Sequence, residues 1–262
     1  MKKNLLYGKI RLLLFSLFVM SGMIVLGGGL SSTFADGERP APFALVELFT
    51  SEGCSSCPSA DLFFSNLTTE VRQKNIPIYT LSFHVDYWNH LGWKDPFSQE
   101  VFSDRQRQYA RIQNTDSIYT PQMIVNGTYA FSGQRGDLAK QAIDKVMSKP
   151  PKATINFEIL DQSDQNAIKL SYSIKGVPKE TLLHIAIVER GLDTHITAGE
   201  NAGQTLSQDN VVRNFRTFRI NKLQGKVNLE IPKLIVRKNA SVIGYLQDPY
   251  SMGVLGAAQF DL

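Results

Sequence analysis

Apolar and polar residues follow two different periods along this chain of 262 residues, and the change falls near residue 150. Before it, an apolar, β-prone run at 43–50 predicts a buried strand, apolar residues at helical spacing in 58–72 predict a helix, and 76–83 predicts a second strand. Strand, helix and strand in this order predict a right-handed unit with two parallel strands. Both strands would then end at one edge of a sheet.

The rest of this α/β part contains two more predicted helices and a hairpin. A helix opened by Asp95 is predicted over about 95–113. The pair Asn126-Gly127 separates two apolar runs, which is the pattern of a tight β-hairpin. A third helix is predicted over 136–147, and the proline-containing run at 149–152 then indicates a boundary.

Beyond residue 150, apolar residues alternate with polar ones, which is the period of a strand with one buried face. No helical pattern competes, so residues 151–262 are predicted to form an all-β, sandwich-like domain. The glycine-bearing run at 199–203 is typical of a long polar hairpin rather than of a phosphate-binding loop. The predicted strands lie at 155–159, 168–174, 183–187, 211–220, 226–231 and 241–247.

The first 35 residues have the three parts of a secretory signal peptide. A basic start is followed by an uncharged apolar run at 12–30 and by small residues that end at Ala35, a cleavage site. The alternative is a retained membrane anchor, against which the three glycines at 27–29 argue. We therefore expect a signal peptide at 1–35, a linker at 36–42, and an exported protein, periplasmic or secreted, that is not inserted in the membrane after cleavage.

Charge excludes two classes of partner. The chain carries 28 basic and 24 acidic residues, but four of the basic residues and none of the acidic ones lie in 1–35. The exported chain is then neutral, and it contains no basic block. It therefore lacks the electrostatic footprint of a protein that binds nucleic acid or anionic lipid.

Cys54 and Cys57 are the only cysteines, and they lie between the first predicted strand and its helix. Two cysteines at this spacing can close a disulfide, and the dipole at a helix start stabilises the thiolate of the first one. A single pair is no disulfide scaffold, so a chemical role is favoured, for which the sulfur of Cys54 must be reachable from solvent. The spacing alone also fits half of a metal site or a structural clip.

His84 ends the second predicted strand, so parallel strands would bring it to the same sheet edge as the cysteines. There it can lower the pKa of Cys54 or relay a proton. Two soft thiolates and this imidazole would also suit Cu(I), which makes Cys54, Cys57 and His84 an alternative metal site. A packed, hydrogen-bonded histidine is the simpler interpretation. Trp88 forms either an aromatic wall for a bound peptide or part of the core.

Three short segments carry a resemblance to known proteins. They are VELFTSEGCSSCP from Val46 to Pro58, HVDYW from His84 to Trp88, and YTPQ from Tyr119 to Gln122. The order of the predicted elements over 43–148 resembles thioredoxin, and the segments themselves are closest to a secreted bacterial thioredoxin-like family of uncharacterised function. The resemblance implies a thioredoxin-like α/β fold at 43–150, followed by the all-β sandwich-like domain.

The same resemblance implies roles for individual residues. Cys54 would be the attacking thiol and Cys57 the resolving thiol, with Glu47 as a buried acid that accepts the proton of Cys57. Pro121 would be a cis-proline that faces the disulfide, and Thr120 would precede it in a loop that binds the client backbone. The chain departs from thioredoxins in its Ser-Ser dipeptide between the cysteines and in the glycine before them.

Together these observations predict an exported thiol-disulfide oxidoreductase that acts on other exported proteins. Its partners would be exported protein thiols or disulfides and a redox partner protein, and no cofactor is predicted. The alternative is a copper-binding or copper-delivery module, or a non-catalytic binding protein. The direction of the redox chemistry stays open, because about 30 mV corresponds to only ~1.4 kcal/mol. The predicted site residues are Cys54, Cys57, Glu47 and His84 for catalysis and Thr120, Pro121 and Trp88 for substrate binding.

Overall fold

Strands make up most of the fold. The computed structural model describes residues 40–178 and 180–262, and these contain three α-helices: α1 (Pro58–Gln73), α2 (Glu100–Ile112) and α3 (Gly136–Met147). Short 3-10 turns lie at Asn89–Leu91 and Arg237–Asn239. The strands, in chain order, are β1 (Ala44–Thr50), β2 (Ile78–His84), β3 (Gln122–Val125), β4 (Tyr129–Ser132), β5 (Thr154–Asp161), β6 (Ala167–Lys175), β7 (Leu182–Glu189), β8 (Leu192–His195), β9 (Thr205–Gln208), β10 (Val211–Arg219), β11 (Gln224–Glu230), β12 (Ala240–Gln247) and β13 (Val254–Asp261).

Local sequence signals predict the helices and turns where those signals are strong. α1 begins at Pro58, which fits a first helical turn because the N–H that proline lacks has no helical partner there. Asn126 and Gly127 have φ angles of 46° and 69° in the turn between β3 and β4, as a two-residue hairpin requires. α2 begins at Glu100 instead of Asp95, because the Asp95 carboxylate binds backbone amides outside the helix.

One mixed sheet of eight strands contains segments from both halves of the chain. Its order is β13-β12-β7-β10-β2-β1-β3-β4. β1 and β2 are parallel, with Thr50 opposite His84 at their carboxyl ends. On the other side of β2, β10 pairs in parallel through Val211 and Ser82, and it is antiparallel to β7. A three-stranded sheet, β11-β6-β5, and the hairpin of β8 and β9 are separate from it.

The predicted thioredoxin-like α/β fold followed by an all-β sandwich-like domain is wrong. Four strands from the C-terminal half, β7, β10, β12 and β13, continue the sheet that β1 to β4 begin. The reason lies at β2, whose open edge would leave backbone groups unpaired; instead the N–H of Ser82 donates to the carbonyl oxygen of Asn210 at 2.9 Å. The domain boundaries that the sequence predicts, 43–150 and 151–262, stay a prediction. The signal peptide predicted at 1–35 lies outside the described residues.

Alternation along β1 sends its side chains to two different cores. The face with Val46 packs against α1 and α3, and the face with Leu45 packs against α2. Because successive strand residues point to opposite faces, Glu47 faces α2. Thr50 faces α1, and so does His84, its register partner on β2.

A third core explains the alternating pattern beyond residue 150. Ile155 and Leu170 of the three-stranded sheet pack with Ile185 of β7 and Val242 of β12. Within the part of the chain that the structure describes, no helix is long and apolar enough to cross a membrane.

Candidate functional site

A disulfide joins Cys54 and Cys57 at the start of α1. Cys57 immediately precedes the helix, and its carbonyl oxygen accepts hydrogen bonds from the backbone N–H groups of Ala60 at 2.9 Å and Asp61 at 3.0 Å. The sulfur of Cys54 lies 3.3 Å from the hydroxyl of Ser56. The prediction that the two cysteines can pair at a helix start is therefore confirmed.

Both cysteines are buried, and the prediction that Cys54 is reachable from solvent is wrong. Its exposed fraction is 0%, as is that of Cys57. A loop from the C-terminal half lies against them: residues 196–204, which join β8 to β9 and which we call the cap loop. This is the polar hairpin that the run at 199–203 predicts.

Hydrogen bonds hold the cap loop to the backbone around Cys54. Asn201 is buried, and its Nδ2 donates to the carbonyl oxygens of Glu52 at 2.8 Å and Cys54 at 3.1 Å. The carboxylate of Glu200 accepts the N–H of Ser55 at 3.0 Å. The cap loop thus binds backbone groups on both sides of the sulfur that would have to react.

Pro121 lies beside the first turn of α1. A Cβ on Gly133 would come within 3.0 Å of the Cβ of Pro121, 3.1 Å of Cδ1 of Leu48 and 3.2 Å of the Cβ of Ala60. Only glycine at 133 therefore lets these three residues approach one another without displacement. The Thr120–Pro121 peptide bond is cis, as the resemblance implies.

Trp88 contacts both the loop before α1, which carries Cys54, and the loop that carries Thr120. Its indole Nε1 donates to the hydroxyl of Thr120 at 2.7 Å, and a Cβ on Gly53 would lie 3.3 Å from the Cβ of Trp88. The space next to residue 53 is thus occupied by an aromatic residue from another part of the chain. The three residues predicted to bind substrate, including Pro121, lie together near the disulfide loop.

Glu47 is not brought to the disulfide. It faces α2, where its Oε1 lies 2.7 Å from Nη2 of Arg105 and the hydroxyls of Tyr109 and Tyr245 donate to its carboxylate. Burial disfavours the charge on Arg105, but Glu47 outweighs this and holds the pKa of Arg105 well above its usual range. Glu47 is thus one half of a buried ion pair, on the face of β1 opposite to α1.

His84 is buried and bonded to a carboxylate that the sequence did not predict. Its Nδ1 lies 2.7 Å from Oδ2 of Asp95, which also accepts the N–H of Glu52 at 2.9 Å. Burial alone would lower the pKa of His84, but the Asp95 carboxylate outweighs it and raises that pKa above its usual value. Burial likewise opposes the charge of Asp95, yet His84 holds the pKa of Asp95 below its usual value. When His84 is protonated, the two side chains form a buried ion pair.

Asp61 is a second functional candidate that the sequence did not single out. It lies one helical turn after Cys57, and its Oδ1 accepts a hydrogen bond from the hydroxyl of Thr50 at 2.8 Å. Burial raises the pKa of Asp61 to about 7, although the charge of His84 and the bond from Thr50 oppose this. The sequence signal that could have found Asp61 is its spacing of four residues from Cys57, which places the two residues on one helix face.

Three buried polar atoms in this region lack a hydrogen-bond partner among the described residues: Oε1 of Glu52, Oδ2 of Asp61 and Nε2 of His84. The other carboxylate oxygen of Glu52 accepts the indole N–H of Trp93 at 3.0 Å, and burial, aided by the charge of Asp95, raises the pKa of Glu52. We call Glu52, Asp61, His84 and Asp95 the acid–histidine cluster. Unpartnered buried polar groups are costly, so these three atoms mark the cluster as a candidate for a functional role.

In the alternative copper site, only Nε2 of His84 is left without a partner among the described residues. The sulfurs of Cys54 and Cys57 are bonded to each other, and Nδ1 of His84 is engaged by Asp95. Across residues 40–178 and 180–262, no group of three or more His, Cys, Asp or Glu side chains is placed to hold a metal ion.

The solved structures that share the fold include two that align with most of this chain. A protein of Agrobacterium tumefaciens aligns with 85% of this chain and 96% of its own, with a TM-score of 0.64 and 23% sequence identity. HBP35 of Porphyromonas gingivalis aligns with 86% of this chain and 77% of its own, with a TM-score of 0.61 and 11% identity. At these identities the likeness shows the fold alone. No curated protein matches the chain.

The family described as "Protein of unknown function (DUF1223)" matches residues 45–247. This segment is most of the chain, and it includes both cysteines, the acid–histidine cluster and the cap loop. The chain therefore belongs to the DUF1223 family.

Proposed function

We propose that this protein exchanges disulfides with other exported proteins through Cys54 and Cys57. The observation that carries the proposal is the disulfide at the start of α1, with Pro121 beside the same helical turn and Asp61 four residues further along it. A dithiol at a helix start, next to a loop that can receive a peptide and near a buried group that can take a proton, has the parts that thiol-disulfide exchange needs.

In the proposed reaction the thiolate of Cys54 attacks a disulfide of the client. A sulfur–sulfur bond forms between Cys54 and one client sulfur, the client disulfide breaks, and the other client sulfur leaves as a thiolate. Cys57, as a thiolate, then attacks the sulfur of Cys54, which restores the Cys54–Cys57 disulfide and releases the first client sulfur. Two electrons pass to the client, and the reverse sequence oxidises it.

The client would lie along Thr120 and Pro121, with Trp88 at its side. Pro121 is buried and its carbonyl oxygen accepts the N–H of Gly133 at 2.9 Å, so this segment has to open before an extended client can pair with it in the manner of an added strand. Because Cys54 is buried, the cap loop has to separate from it before a client sulfur can approach. Glu47 has no part in the proposal, since its carboxylate is bound by Arg105 on the opposite face of the sheet.

The proposed compartment is periplasmic or extracellular, on the basis of the signal peptide predicted at 1–35. The partners would be exported proteins with a thiol or disulfide, together with a protein that resets the redox state of the dithiol. An oxidising compartment would keep the Cys54–Cys57 disulfide formed between reactions.

Insulin reduction in the presence of dithiothreitol tests the proposal. We expect wild type to accelerate precipitation of the insulin B chain, and Cys54→Ser to abolish the acceleration. In a separate incubation without dithiothreitol, reduced Cys57→Ser, which cannot resolve, should accumulate a mixed disulfide with the client, and dithiothreitol added afterwards should cleave it. Equal rates for wild type and Cys54→Ser, with no trapped adduct for Cys57→Ser, would overturn it.

A further inference from the structure

Asp61 and Cys57 share one face of the first turn of α1. Cys57 already has helical backbone angles, φ −80° and ψ −34°, and its carbonyl oxygen accepts the N–H of Asp61 at 3.0 Å. Side chains four residues apart on a helix lie with their Cβ atoms about 5–6 Å from each other. The carboxyl of Asp61 is therefore the nearest acid along α1 to the sulfur of Cys57, and both are buried.

Only one oxygen of the Asp61 carboxyl is bound. Thr50 donates to Oδ1, whereas Oδ2 is buried without a partner. Thr50 stands opposite His84 in the parallel register of β1 and β2, on the same face of the sheet. The Nε2 of His84 is likewise buried without a partner. Asp61 and His84 are therefore both neighbours of Thr50, and each has one unpartnered atom, Oδ2 of Asp61 and Nε2 of His84.

We propose that Asp61 takes the proton of Cys57 during resolution and returns it during reduction, and that His84, held by Asp95, is a positioning residue that stabilises the carboxylate of Asp61. This inference rests on the proposed disulfide exchange and names its proton acceptor. It gives Asp61 the role that the resemblance to thioredoxins implied for Glu47.

The proton balance is complete in both directions. During resolution, the Asp61 carboxylate takes the proton from the Cys57 thiol, and the resulting thiolate attacks the sulfur of Cys54 and expels the client sulfur as a thiolate. During reduction, an incoming thiolate attacks Cys54, the Cys54–Cys57 bond breaks, and Cys57 leaves with the electron pair. The protonated carboxyl of Asp61 then returns its proton to Cys57.

The other charged groups around Asp61 set the pH at which it works. Burial and the negative charges of Asp95 and Glu52 raise the pKa of Asp61, while the positive charge of His84 lowers it, and the result is about 7. A group that titrates near neutral pH can both accept and return a proton there. Together with burial, Glu52, His84 and Asp95 thus keep the carboxyl of Asp61 partly protonated and partly ionised near neutral pH.

A two-phase reaction with an aromatic disulfide that releases a coloured thiolate tests this role. Attack by Cys54 of the reduced protein releases one coloured thiolate, and attack by Cys57 on the mixed disulfide releases a second at a rate independent of reagent concentration. In wild type we expect the second rate to rise with pH through an inflection near that of Asp61, about 7.

Asp61→Asn should lose this inflection and slow the second phase about 10²-fold at neutral pH, the lower end of general-base effects. Thr50→Val removes a hydrogen bond that lowers the pKa of Asp61, so it should move the inflection to higher pH while keeping the full rate above it. His84→Gln should shift it in the same direction. Thr68→Val, another buried polar change on α1, is the control and should leave the profile unchanged.

An Asp61→Asn profile that coincides with wild type would overturn the inference. If that variant does not fold, an inflection that stays in place in both Thr50→Val and His84→Gln overturns it equally. The readout needs no protein client. A wild type that completes both phases yet does not reduce insulin would therefore refute the proposed function and leave the role of Asp61 standing.

Discussion

The hydrogen bonds of the cap loop determine how strongly the Cys54–Cys57 disulfide is expected to be shielded from reductants. Asn201→Ala removes the two hydrogen bonds that join the cap loop to the carbonyl oxygens of Glu52 and Cys54, and it also removes a long bond of 3.4 Å from Nε2 of Gln204 inside the cap loop. At about 1 kcal/mol for each of the two bonds to the carbonyl oxygens, closure of the cap loop weakens by about 2 kcal/mol. Because ~1.4 kcal/mol is a factor of ten, the population with an open cap loop should rise about 30-fold.

The assay is the rate at which excess dithiothreitol reduces the Cys54–Cys57 disulfide, followed by alkylation and mass measurement. If reduction occurs from the open form, its rate rises with the open population, so Asn201→Ala should react about 30-fold faster than wild type. Ser207→Ala is the matched control. It removes a 2.6 Å hydrogen bond to Asp193 on the exposed side of the same hairpin and should react like wild type.

Equal reduction rates in Asn201→Ala and Ser207→Ala would refute the reasoning, because the bonds to Glu52 and Cys54 would then not control access. A uniform increase in both variants would also contradict it, since general loosening of the hairpin would be the cause. Thermal unfolding of each variant separates these results from a loss of overall stability.

The remaining predictions concern buried charges. Glu47→Gln leaves the guanidinium of Arg105 without its carboxylate, so urea denaturation should show a loss of about 3–5 kcal/mol in the free energy of unfolding; an unchanged midpoint contradicts this. The folded-state pKa of Asp61 is raised from 3.8 to about 7, so the native state keeps a proton that the unfolded chain loses, and stability falls as pH rises through this window. In wild type the free energy of unfolding should fall by about 4 kcal/mol between pH 3.8 and pH 7 because of Asp61, and Asp61→Asn should remove this fall. An Asp61→Asn variant whose free energy of unfolding depends on pH as steeply as that of wild type speaks against it. The folded-state pKa of His84 is raised above 6.5, so its stabilising contribution is complete below that pH and is lost as pH rises through the folded value. His84→Gln should thus destabilise the protein more in mildly acidic than in alkaline buffer, by the same measurement.

Local sequence signals identified the disulfide and the elements beside it. A strand pattern before Cys54, a proline after Cys57 and apolar residues at helical spacing fix the turn and the start of α1 without reference to distant parts of the chain. The Asn126-Gly127 turn is local in the same sense, because it depends only on residues that tolerate positive φ.

Contacts between distant segments could not be predicted in this way. The period of β10 shows that it is a strand, but it does not show that Val211 pairs with Ser82 of β2, which lies far back in the chain. Asp95 has the signature of a helix start, yet it accepts the N–H of Glu52 and pairs with His84. Its role depends on how two loops meet at the sheet edge, and no local pattern records that.

The buried position of Arg105 has a consequence for how the chain reaches its folded state. Its guanidinium is bound by Glu47 of β1 and by the amide oxygen of Gln247, which lies 142 positions further along the sequence. A charge withdrawn from water before its partners arrive is strongly unfavourable. The packing around β1 and α2 can therefore be completed only after Gln247 has been synthesised, so these two elements are not expected to reach their final packing while only the N-terminal half of the chain has left the ribosome.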